Sequence, residues 1–142
     1  MLQQLKERYT RYEETVKKVR ENAPAAAGLF GLGDDPRKHP CHGEFYEDVG
    51  RWTADFLATG PDAQMAHQAV SWIIRAAAEH RDQEVYWFMY AAHGHCRDLI
   101  PLLSRTDCAE LVRFYDDHYP RRDRMPVQKE IYKLLKKRSV NK

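Results

Sequence analysis

The sequence predicts an all-α protein: about six helices in antiparallel pairs, forming one compact bundle that spans residues 1–142 as a single domain. Three observations carry that expectation. Apolar residues recur at spacings of three and four along most of the chain, no stretch of useful length alternates as a strand would, and Gly/Pro punctuation leaves mostly short connections. A composition of 43% hydrophobic and 31% charged residues is that of a globular chain. A short HEAT- or armadillo-like stack is the alternative, resting on helix pairing alone because no sequence repeat accompanies it.

The first helix, residues 2–22, places Leu2, Leu5, Tyr9, Tyr12, Val16 and Val19 on a narrow seam that suits docking on its own domain, with coiled-coil pairing as the alternative. From Ala23 to Pro40 the periodicity fails, and three glycines with three prolines predict a long loop. Within it Leu29, Phe30 and Leu32 are expected to anchor in the core or form a lid. Gly28, Gly31 and Gly33 lack the strand, spacing and Gly-Lys-Ser/Thr ending of a phosphate loop. The second helix, 41–58, carries Phe45, Val49, Trp52 and Phe56 on one side. Thr59-Gly60-Pro61-Asp62 ends it and begins a third, running to about His80, with Ala66, His67, Val70, Ile73, Ile74 and Ala77 inward.

The stretch Glu84–Leu103 is apolar nearly all round, so it is expected to be the enclosed central helix, kinked or ended by Pro101. Ser104 starts a fifth helix with Leu111, Phe114, Tyr115 and His118 inward; Pro126 opens a basic sixth, to about residue 138, with a Val127, Ile131, Leu134, Leu135 stripe.

Reactive side chains gather at His39-Pro-Cys41-His42 and His93-Gly-His95-Cys96. On a regular helix His93 and Cys96 share a face while His95 diverges, so His93 and Cys96 with His39 and His42 are the candidate ligands of a zinc ion. Neither cluster has C-x-x-C or H-E-x-x-H spacing. Cys41, near a helix start between histidines, is a candidate reactive thiol, opposed by Glu44 and Glu47. His67 and His118 lie in apolar stripes as buried neutral imidazoles, or, for His67 with His93 and tyrosines, in a pocket.

Net charge is only +2, but from Arg121 onward nine Lys/Arg face two acids, a local +7 that leaves −5 on the rest. Arg121, Arg122, Arg124, Lys129, Lys133, Lys136 and Lys137 are therefore the candidates for nucleic-acid or acidic-partner binding, without a recognised motif. No apolar run reaches membrane-spanning length, and no leader pattern opens the chain. Three cysteines without framework spacing fit reduced thiols in the cytoplasm. The expected role is a protein-interaction module without cofactor or catalysis, binding an unknown partner or itself. Zinc- or thiol-dependent activity and nucleic-acid binding are the alternatives.

Overall fold

A computed structural model describes residues 1–30, 38–83 and 85–140, with side chains for all of these except 22–30. Leu32 and Glu84 lie outside the described residues, as do the side chains of Leu29 and Phe30. The fold is all-α: six helices and no strand among the described residues. They are α1 (Leu2–Phe30), α2 (Cys41–Ala58), α3 (Ala63–Glu79), α4 (Tyr86–Ala92), α5 (Arg105–His118) and α6 (Pro126–Val140). Two compact units divide the chain, Met1–Trp52 and Thr53–Lys142, with the division inside α2.

In the first unit α1 and the start of α2 run antiparallel. Tyr12 stacks on Phe45 at 4.0 Å, Tyr9 meets the same ring edge-on at 5.0 Å, and the Trp52 indole donates to the Met1 carbonyl at 2.9 Å. The predicted seam is real: Leu5, Tyr9, Tyr12 and Val16 are buried. Residues 23–30, expected as part of a loop, belong to α1, and residues 31–37 of that expected loop lie outside the described residues. The α1 backbone stays helical to Phe30, through a run of alanines whose helix propensity outlasts the amphipathic pattern.

In the second unit Gly60, at φ 68°, makes the left-handed turn out of α2, and the Asp62 carboxylate caps α3 by accepting from the Met65 N–H at 2.8 Å. Ala66, Ala69, Val70, Ile73, Ile74, Ala76 and Ala77 bury the inner face of α3. The expected central helix is broken. Only Tyr86–Ala92 is α-helical; His93–Asp98 and Ile100–Leu102 are 3-10 turns. Gly94 weakens the helix from within, and Pro101 has no N–H to continue it. The segment is nevertheless the heart of this unit, with Met89, Ala92, His93, Cys96 and Leu99 at 0% exposure, while Trp87 turns to solvent at 51%.

Ser104 caps α5 by accepting from the Asp107 N–H at 3.1 Å. A 3-10 turn at Arg121–Asp123 then returns the chain antiparallel along α5 as α6, where the Tyr132 hydroxyl donates to Asp116 at 2.9 Å and Arg105 reaches the Ser139 carbonyl. The broken α4 segment has a topological consequence. It carries the chain back to the start of α3, so α3 and α5 lie side by side and parallel: His67 beside Asp107, Arg75 beside Glu110 and Phe114, Arg81 beside the His118 carbonyl.

Candidate metal centre on α3 and α5

That parallel alignment assembles three ligand-type side chains. On α5, Asp107 and Glu110 are three residues apart and share a face, while buried Cys108 and Leu111 fix the helix against the core. On α3, His67, Ser71 and Arg75 recur at four-residue intervals along one edge. His67 Nδ1 lies 3.9 Å from Asp107 Oδ1, and its Nε2 lies 3.7 Å from Glu110 Oε2. One donor atom from each of the three falls within 4.8 Å of the others, the single such grouping of His, Cys, Asp or Glu among the described residues. The side chains are partly exposed, 22%, 26% and 45% for His67, Asp107 and Glu110, so the group opens to solvent on one side.

His67 Nε2 is itself buried and has no hydrogen-bond partner. Buried imidazole nitrogens are ordinarily satisfied, and this one faces a carboxylate at a distance too long for a direct bond. Two carboxylates and one guanidinium leave the group at −1 when His67 is neutral, a field that attracts cations. Arg75 stands at the other side of Glu110, with Nη2 3.3 Å from Oε1, its Nε donating to Ser71 Oγ at 2.9 Å and its plane 4.4 Å over Phe114.

The His/Cys candidates expected from sequence divide between the two units. His39 and Cys41 meet backbone to side chain, the Cys41 N–H donating to His39 Nδ1 at 3.1 Å, and His42 Nδ1 is engaged by the Tyr12 hydroxyl at 2.7 Å. The Cys41 thiol is 3.9 Å from that same nitrogen. Burial, with Glu44 adding to it, pushes this thiol up in pKa; its own backbone N–H only partly offsets the rise. His93 and Cys96 belong to the second unit, where the 3-10 turn does put them on one face, both wholly enclosed. Burial holds His93 down at about 3, opposed by the nearby Ile73 carbonyl, and pushes Cys96 up to about 12. His93 Nδ1 is 3.0 Å from the Tyr115 hydroxyl, within a ring cluster that includes Tyr90 and Tyr119.

His118, expected inward, is exposed and stacks on Phe114 at 4.0 Å, while Tyr115 and Tyr119 take the buried positions at this end of α5. Arg124 departs from the other basic candidates. It is buried at 9% exposure, with Nε donating to the Tyr119 carbonyl at 2.9 Å and its plane 4.3 Å over Tyr132, so its donors bind the protein's own backbone. Arg121, Arg122, Lys129, Lys133, Lys136 and Lys137 are exposed. Sequence reasoning placed His67 on the correct helix but missed Asp107 and Glu110. Their Asp-x-x-Glu spacing was the available signal, and it says nothing of which helix lies opposite.

No protein-family model matches the chain, and neither a curated protein nor a solved structure is significantly similar to it.

Proposed function

We propose that this helical protein binds a divalent metal ion of the zinc class through His67, Asp107 and Glu110. The observation that carries the reading is the convergence of the three donors across two helices, with the His67 Nε2 unsatisfied at its centre. One imidazole and two carboxylates form a mixed nitrogen–oxygen set that zinc accepts, and three protein ligands leave a coordination position for water. The spacings need only small side-chain rotations to close on one ion.

The interaction-module reading has less to select it. Met65, Trp87, Leu102 and Val140 are exposed on the second unit, but exposed apolar side chains are common on protein surfaces and name no partner. Nucleic-acid binding rests only on the charge of α6 and of Arg121 and Arg122 in the turn before it.

Titration calorimetry of zinc into metal-free protein tests the proposal, with elemental analysis for stoichiometry. The expected result is one zinc per chain, weakened at least about tenfold by His67→Ala or Asp107→Asn and unchanged by Cys41→Ser. A folded His67→Ala protein that binds zinc as the parent does would overturn it.

A further inference from the structure

We infer that the metal held by His67, Asp107 and Glu110, together with the guanidinium of Arg75, forms a composite site for a phosphate-class oxyanion. The inference rests on the metal reading above. Its own basis is the placement of Arg75.

The Glu110 carboxylate lies between the imidazole and the guanidinium: Oε2 is 3.7 Å from His67 Nε2, and Oε1 is 3.3 Å from Arg75 Nη2. A metal bound on the Oε2 side is therefore one carboxylate's width from the guanidinium. Arg75 is held in place on two sides, by Ser71 Oγ at 2.9 Å and by the Phe114 ring at 4.4 Å. A guanidinium has five N–H donors. Ser71 and Glu110 engage one each, so three have no partner among the described residues, and the side chain is 43% exposed. A fixed, half-exposed fork with spare donors matches the geometry of phosphate.

Charge points the same way. The two carboxylates balance a divalent ion, leaving Arg75 as an uncompensated positive charge beside a metal with an open position. Phosphate suits that pair better than a carboxylate does. It can give one oxygen to the metal and still present two to the fork, whereas a carboxylate has only two in all.

The experiment is calorimetric titration of inorganic phosphate, phenyl phosphate and acetate into the full chain, with and without one equivalent of zinc. Phosphate is expected to bind the zinc-loaded protein and not the metal-free one, with acetate weaker. Phenyl phosphate binding as well as inorganic phosphate assigns the site to phosphomonoesters; inorganic phosphate alone assigns it to the free ion. Arg75→Gln should lower phosphate affinity at least about tenfold, and Arg75→Lys, which keeps charge but not the fork, should fall between. Circular dichroism checks that both variants fold. Zinc binding by Arg75→Gln should be undiminished, since the variant retains all three ligands. Phosphate affinity that is the same in Arg75→Gln, or the same without zinc, overturns the inference while leaving the metal reading intact. A parent chain that binds no zinc overturns both.

Discussion

His93, with no solvent exposure and its Nδ1 3.0 Å from the Tyr115 hydroxyl, gives up its hydration to enter the core, and burial lowers its pKa from 6.5 to about 3. The folded state then binds fewer protons at this ring than the unfolded state does between those two values. Its contribution to stability is whole above pH 6.5 and is lost as pH falls toward 3, at up to about 1.4 kcal/mol per pH unit. Urea unfolding at pH 7 and pH 5 checks this: His93→Gln should flatten the pH slope, and a slope identical to the parent's would contradict the assignment. The same physics raises the pKa of the cysteine thiols. Cys41, Cys96 and Cys108 are all buried with their thiols pushed up, so each should alkylate more slowly than a model thiol at pH 8 and at the model rate once denatured. A helix start near Cys41 suggested the opposite; desolvation and Glu44 outweigh it.

The helices themselves were largely legible, because amphipathic spacing reports the buried face directly. Leu5, Tyr9, Tyr12, Val16, Val49, Ile73, Leu111 and Ile131 all fall where that spacing puts them. Two elements were not. The α1 backbone persists through a stretch whose pattern had stopped, and the 84–103 segment looked like one helix because its apolar residues continue across the change from α to 3-10 geometry. Periodicity marks burial better than it marks hydrogen-bond register. The caps matter for the site as well as for the helices. Ser104 Oγ holds the Asp107 N–H, fixing the first turn of α5 on which the carboxylate stands. Ser104→Ala should cost about 1 kcal/mol in chemical denaturation and weaken zinc binding, whereas Asp62→Ala should cost a similar amount of stability with less effect on zinc.

At the level of the second unit, His67, Asp107 and Glu110 meet because the chain doubles back between α3 and α5 and sets them parallel. His67 is 40 residues from Asp107, and local patterns carry no information about that approach. For this reason the sequence drew attention to contiguous His/Cys clusters, while the donors that converge came from separate helices. An ion joining α3 to α5 would favour the folded state over the unfolded chain, whose seven histidines and three cysteines retain some affinity, so zinc at a hundredfold its dissociation constant should add up to about 2.7 kcal/mol to the unfolding free energy. Urea titrations of the parent should show that gain, and Glu110→Gln, with zinc bound at least about tenfold more weakly, should cut it to about 1.4 kcal/mol or less at the same zinc concentration. The most direct test of the account is X-ray absorption spectroscopy at the zinc edge of the metal-loaded protein. It predicts only nitrogen and oxygen neighbours, at about 2.0–2.2 Å, as His67, Asp107 and Glu110 require; a sulfur neighbour at about 2.3 Å would place the ion on a cysteine and contradict it.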